Sequence, residues 1–179
     1  MASRTTALEP AHVDFIGAQH IFFAASAAGD SHVNLSPRGT DWFRVLSPTE
    51  VGWLDLTGSG NETAAHIGAG GRLTLMFCAF SGPPLILRLY GTGTRHEPDT
   101  PGFAALLAGH FGGAMPAGAR RIVTVRLTLV QTSCGYGVPR FEPVGPRDGL
   151  TRWAEKKGEA GLAAYRAENN RVSLDGLPG

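Results

Sequence analysis

The sequence predicts a mainly β protein: an antiparallel sheet closed into a barrel, flanked by helices and followed by a helical tail. Three observations predict it. About six short apolar or alternating runs recur between residues 20 and 131, separated by Gly- and Pro-rich turns. The joins between them are hairpin-like and helices are few, which favours antiparallel pairing; closure removes the exposed edges such a sheet would otherwise carry. From Asp148 to Glu168 the composition shifts to Ala, Glu, Lys and Arg at helical spacing.

At 179 residues the chain can bury a core as one domain. No repeat or low-complexity linker divides it, so residues 1–179 are read as one domain, with 148–179 its helical tail and extended C-terminus. The formal net charge of +1 gives no basic stripe, so no nucleic-acid partner is expected. No apolar run reaches the length of a membrane span, and MASRTTALEP lacks the apolar core of a secretion signal. Cys78 and Cys134 lie far apart and suggest neither a disulfide framework nor a zinc knuckle. A cytoplasmic protein with two reduced thiols is expected.

The elements follow in order. Pro10 to Gln19 reads as a short helix with Pro10 in its first turn and Val13, Ile16 and Gly17 on one face. HIFFAAS, from His20 to Ser26, reads as a buried strand; Ala28, Gly29 and Asp30 turn the chain, and HVNLS alternates as the return strand of a hairpin. Val51 to Leu56 is the next strand. RLTLMFCAF, from Arg72 to Phe80, is another, broken by SGPP, and Leu85 to Thr94 returns with Leu85, Leu87 and Leu89 in alternation. Pro101 to His110 reads as a helix. In RIVTVRLTLVQ, Ile122, Thr124, Arg126 and Thr128 face one way and Val123, Val125, Leu127 and Leu129 the other. The tail reads as a helix from Asp148 to Glu168, with Leu150, Trp153 and Ala154 on one face; Gly158 and Gly161 bend it or split it in two.

WLDLTGSGNETAAH, from Trp53 to His66, has the look of a binding site. A strand delivers the chain to a turn at Thr57 and Gly58. Ser59 and Glu62 then have the spacing of a capping box, which predicts a helix from Gly60 to about Ile67. Its first N–H groups, fringed by the side chains of Thr57, Ser59, Asn61 and Thr63, suit a phosphate; no Gly-Lys-Ser/Thr follows, so it is not a P-loop. The same pattern also serves a plain helix cap that binds nothing, and the residues leave both readings open. A phosphate needs cations, and Arg38, Arg44 and Arg88 are candidates. Arg88 sits in an apolar strand, and its structural alternative is a buried ion pair with Asp55.

Taken in order, HIFFAAS, HVNLSPRG, VGWLDLTGSGNET, GRLTLMFCAF, LRLYG and TSCGYGVP resemble the pyridoxamine 5'-phosphate oxidase-like split-barrel flavoproteins. The resemblance extends from about Ala18 to Gly179. It is nearest to an actinobacterial-type subgroup that also carries RWAEKKGEAGLAAYRAENN and ends in SLDGLPG. The resemblance implies a six-stranded antiparallel split barrel, a homodimer, and FMN held in a groove between subunits, with haem or a deazaflavin as alternative cofactors. It implies a flavin-dependent oxidoreductase that moves hydride through flavin N5, using a small-molecule substrate and reduced nicotinamide as donor; the alternative is a non-catalytic carrier or sensor. HVNLSPRG would lie along the flavin ring, and the following strand and helix start would hold the phosphate.

The implied cofactor-binding residues are Asn34, Leu35, Ser36, Arg38, Gly39, Asp55, Thr57, Ser59, Gly60, Asn61, Thr63 and Arg88. Backbone N–H groups of Ser36, Arg38 or Gly39 are the donors for ring N5 or O4, since Pro37 has none. The arginine-containing C-terminal substrate motif of the true pyridoxamine phosphate oxidases is missing, so oxidation of vitamin B6 is not expected. Hydride transfer requires no separate base, and no catalytic side chain is assigned. The histidines form no H-x-x-x-H or H-E-x-x-H pattern, so no metal is expected. His66 is an iron ligand only in the haem case, and otherwise a helix-end residue balancing the dipole. Trp42 and Phe43 serve equally as flavin wall or core packing. Cys134 is a reactive thiol or a small residue in a glycine turn.

Overall fold

Alternation and turn chemistry build the sheet. The computed structural model describes residues 2–179. Strand β2 (Ile21–Ala27) buries every second residue, Phe22, Ala24 and Ser26, as a strand with one face on the core does. Gly29, at φ 53°, takes the left-handed conformation that turns the chain, and β3 (Asn34–Gly39) returns antiparallel, with Phe22 opposite Arg38. As an edge strand, β3 tolerates Pro37, whose missing N–H would break an interior ladder.

The other elements, in chain order, are β1 (Ser3–Thr5), α1 (Pro10–Gly17), β4 (Phe43–Ser47), β5 (Glu50–Leu56), α2 (Glu62–Gly68), β6 (Arg72–Cys78), β7 (Ile86–His96), α3 (Pro101–His110), β8 (Ala119–Ser133) and α4 (Gly149–Asn169). The antiparallel sheet runs β3-β2-β6-β7-β8-β5-β4, with β1 also paired to β8, and curls into a half-barrel. Eight strands stand among the described residues where six are expected. The additional ones are β1 and β4, each short and without a strong apolar run of its own.

Inside the curl, Phe22 packs against Phe43, Trp53 and Phe77 at ring separations of 4.9, 5.7 and 5.6 Å. Leu75, Leu87, Leu89, Val123 and Val125 fill the space around them. The two faces expected of β8 are both used. Val123, Val125 and Leu127 belong to this core, while Ile122 joins Leu54, Phe103, Phe111 and Ala119 in a second cluster under α3.

Residues 149–169 are two helical segments joined at Gly158, whose φ 62° and ψ 173° are not helical. Trp153 and Tyr165 would be about 18 Å apart along a straight helix at 1.5 Å per residue. Their rings meet at 5.0 Å, so the second segment doubles back on the first. Lys157 caps the fold, its ammonium 5.5 and 5.4 Å from the two rings.

The capping box expected of Ser59 and Glu62 does not form. Helix α2 starts at Glu62 with Asn61 at its N-cap and no side-chain cap bond. Arg120 holds the Gly60 carbonyl at 3.0 Å, which keeps Gly60 in the loop, and the Glu62 carboxylate instead accepts the Leu174 N–H.

Candidate functional site

The sheet does not close between its two ends, and that gap is where the predicted residues gather. A cleft of about 1010 Å³ lies between β3 on one side and β5 with the loop after it on the other. Its apolar wall includes Ile21, Phe22, Pro37, Trp42, Leu54 and Leu56. Its polar wall is Asn34, Ser36, Arg38, Asp55, Ser59, Asn61, Thr63 and Arg120, and the segment from Pro143 to Thr151 forms a rim.

Asp55 spans the opening. Its Oδ1 accepts from Arg38 Nη1 at 2.6 Å and its Oδ2 from Arg120 Nε at 2.7 Å. Arg38 comes from one end of the sheet, while Asp55 and Arg120 come from neighbouring strands near the other. Burial by itself would raise the Asp55 carboxyl. The charges of Arg38 and Arg120 outweigh it and hold the group below the ordinary carboxylate value.

Arg120 reaches the site through a β-bulge. Asp55 pairs with Arg121 and Leu56 with Ala119, so Arg120 is the extra residue of β8, and a bulge re-aims the side chain it carries. Arg120 then ties together three segments: it donates to Asp55, to the Gly60 carbonyl, and to Asn170 Oδ1 at 3.1 Å.

The loop of residues 57–61 is held from behind by the tail. Asn170 Nδ2 donates to the Gly58 carbonyl and its own carbonyl accepts from Asn61 Nδ2. Arg166 Nε donates to the Thr57 hydroxyl, which donates in turn to the Gly118 carbonyl. On the β3 side, Asn34 Nδ2 donates to Ser26 Oγ and Thr63 Oγ1, and Ser36 donates to Asn34 Oδ1.

Nine of the twelve predicted cofactor residues line the cleft: Asn34, Ser36, Arg38, Gly39, Asp55, Ser59, Gly60, Asn61 and Thr63. Three do not. Leu35 points away from it and is exposed. Thr57 is buried and spends its hydroxyl on the protein. Arg88 lies on the face of β7 opposite Leu87 and Leu89 and donates to Ser133 Oγ at 2.9 Å. Its structural alternative, an ion pair with Asp55, is likewise replaced: Arg38 and Arg120 take that carboxylate. Of the two weighed aromatics, Trp42 lines the cleft and Phe43 belongs to the core. His66 is fully buried and is not part of the lining. Sequence reasoning missed Arg120, Trp53 and the rim. The only signal for Arg120 was its place at the start of the strand that pairs with Asp55.

The polar groups fit an acceptor-rich guest. Arg38 Nε and Trp53 Nε1, both in lining residues, are buried donors without a hydrogen-bond partner among the described residues, and Asn61 Oδ1 is a buried acceptor in the same position. An unsatisfied buried polar group costs about 1–3 kcal/mol, so the two donors favour a ligand that brings acceptors, while Asn61 Oδ1 is left for a donor.

Similarities to known proteins converge on one family. The pyridoxamine 5'-phosphate oxidase sequence profile matches residues 8–134. The pyridoxamine 5'-phosphate oxidase family protein ustO of Aspergillus flavus is 39% identical, aligned over 90% of this chain and 71% of that one. Among solved structures, a Lactobacillus delbrueckii protein classed with the pyridoxamine 5'-phosphate oxidases has a TM-score of 0.54 at 20% identity, covering 70% of this chain and 94% of that one. The FAD binding protein of Mycobacterium smegmatis has a TM-score of 0.50 at 12% identity, covering 76% of this chain and 100% of that one. At these identities the two structures speak for the shared split-barrel fold.

Proposed function

This chain belongs to the pyridoxamine 5'-phosphate oxidase family, and on that premise we propose that it is an FMN-dependent oxidoreductase acting on a small molecule. The observation that carries the reading is the cleft at the open seam, with two unpartnered buried donors, Arg38 Nε and Trp53 Nε1, beside the hydroxyls of Ser59 and Thr63. FMN offers acceptors to match them, in its ring carbonyls and its phosphate. A cleft of about 1010 Å³ is at the upper end of the range for cofactor sites and leaves room for a substrate.

A bound flavin supplies hydride transfer at its ring N5. The chain's own residues do the rest. The Ser59 and Thr63 hydroxyls would hold the phosphate, and Arg38 would supply a cation whose charge Asp55 already shares with Arg120. Asn34 and Ser36 orient each other through their mutual hydrogen bond and present polar edges to the ring. Trp42, Leu54 and Leu56 exclude water from it. No side chain is given the role of base, because hydride transfer requires none.

A homodimer in the cytoplasm, reduced by a nicotinamide, completes the proposal. Leu35 is exposed on the edge strand β3 and Val33 just before it, and Leu174 is exposed on the tail segment that Asp175 joins to His32. Large apolar side chains exposed at and beside an edge strand favour burial against a second copy. No helix among the described residues is long and apolar enough to cross a membrane.

The test is the absorption spectrum of the protein as purified, with the cofactor released by heat and identified by chromatography, followed by anaerobic mixing with NADH and NADPH. FMN on the protein and bleaching by a nicotinamide support the reading. A Soret band would replace it with the haem carrier. Protein that takes up neither FMN nor FAD would overturn it, and bound FMN that no nicotinamide reduces would leave a carrier or sensor.

A further inference from the structure

Helix α2 and the tail bring three metal-ligand side chains to one point. Glu62 and His66 are four residues apart, so they stack on one face of the helix. Asp175 arrives from the tail, where the Glu62 carboxylate accepts the Leu174 N–H at 3.0 Å. One ligand atom each from Glu62, His66 and Asp175 all lie within 4.8 Å of one another. Donors bound to one ion at 2.0–2.2 Å stand roughly 3–4 Å apart, so small rotations of the two carboxylate side chains close the set.

The histidine gives the second, independent observation. His66 is fully buried. Its Nδ1 is taken by Ser26 Oγ at 2.9 Å, which fixes the ring as second-shell bonds fix metal-bound imidazoles. Its Nε2 is buried and has no hydrogen-bond partner among the described residues. Asp175 is held near by His32, whose Nδ1 lies 2.6 Å from its Oδ1 and whose backbone N–H donates to its Oδ2, and each oxygen keeps a lone pair for an ion.

We propose that Glu62, His66 and Asp175 form a site for a divalent transition-metal ion that pins the tail to helix α2. One imidazole and two carboxylates suit zinc or iron better than magnesium or calcium, which take oxygen ligands. Three protein ligands leave coordination positions for water. The role follows from position. Glu62 lines the cleft between Asn61 and Thr63, so an ion here clamps the tail against the edge of the cofactor loop. It stands apart from the flavin reading, since none of the three ligands is assigned to the flavin.

The experiment uses the full chain without an affinity tag, stripped with chelator and titrated with zinc against a chromophoric competitor. The expected result is one equivalent bound in the micromolar range or tighter. At a hundredfold excess over Kd, the melting temperature should rise by about 5–10 °C, and protease cleavage of the tail should slow. Asp175→Asn, on the exposed tail, and Glu62→Gln should each weaken binding at least tenfold while the circular dichroism spectrum is unchanged. His110→Ala, on α3, should bind as the wild type does. Absence of a one-equivalent site, or either ligand variant binding within threefold of wild type, would overturn the proposal.

Discussion

Replacing Asp55 with asparagine is the sharpest test of how the seam is held. The carboxylate is buried and accepts charged hydrogen bonds at 2.6 and 2.7 Å from two arginines. Asparagine keeps the shape and one acceptor oxygen but removes the charge. Arg120, whose side chain is 5% exposed, is then left without a counter-ion, while Arg38 at 22% regains some water. Removing one partner of a buried pair costs about 3–5 kcal/mol; the partial exposure of Arg38 puts the loss near the lower end, about 3 kcal/mol. For a chain of this size that is roughly 6–12 °C in melting temperature.

The pH dependence of that loss has a definite sign. The folded Asp55 carboxyl lies below its unfolded value of about 3.9, so its contribution is complete above that value and is lost as pH falls through the folded one. The gap between Asp55→Asn and wild type should stay flat from about pH 5 to 8 and narrow below about pH 4. Urea unfolding followed by tryptophan fluorescence at each pH measures it. A loss under about 1 kcal/mol at pH 7, or a gap that closes between pH 5 and 8, would refute the account of a charge-held seam.

The remaining predictions concern the loop, the tail and the backbone. Replacing Ser59 and Thr63 together with alanine should weaken FMN at least tenfold by calorimetry and leave riboflavin nearly unchanged, because only FMN carries the phosphate; equal loss for both would put the phosphate elsewhere. Asn170→Ala removes bonds to Gly58 and Arg120 and should cost about 2 kcal/mol, with amide exchange quickening across residues 57–61. Gly91→Ala sets a Cβ against the Arg126 carbonyl, opposite the bulge where Thr128 is the extra residue of β8; it should cost about 3 kcal/mol or prevent folding. Gly109→Ala, in α3 with nothing within 4 Å of the added carbon, should stabilise by about 0.5–1 kcal/mol, and a loss there would show that the helix is not as open as described.

What was legible in the sequence was what short-range chemistry writes. Alternation in IFFAASA and RIVTVRLTLVQ fixed the strands and the two faces of β8, and Pro101 and Gly158 marked a helix start and a break at the positions observed, while Gly161, expected to weaken the tail too, stays helical. The strands β1 and β4 were not legible, because Ser3–Thr5 and Phe43–Ser47 owe their conformation to the partners β8 and β5 rather than to any pattern of their own. The capping box failed for the same reason: its spacing was right, but Arg120, sixty residues away, holds Gly60 out of the helix. Arg120 itself was hidden because a bulge, visible only once β5 and β8 are in register, turns it into the site. Likewise Glu62, His66 and Asp175 escaped a search for ligand spacing, since the third ligand comes from a segment that sequence distance cannot bring near.

The tail therefore changes what the barrel means. The family profile ends at residue 134, yet Arg166 and Asn170 fix the loop of residues 57–61, Asp175 meets Glu62 and His66, and the segment from Pro143 to Thr151 forms the rim of the cleft. The doubling back at Gly158 makes this geometry possible. A straight helix of the length of Gly149–Asn169 would span about 30 Å and could not place both Leu150 at the rim and Asn170 behind the loop. Gly158→Ala tests it directly. An alanine at φ 62° and ψ 173° sits in a region that is essentially glycine-only, at about 1–3 kcal/mol, and relief comes by straightening the helix. The variant should keep the barrel's circular dichroism signature, lose the Trp153 contact with Tyr165, and bind FMN more weakly because both the rim and the back of the loop move away together. Unchanged FMN affinity with the ring contact gone would show that the barrel holds its cofactor without the tail.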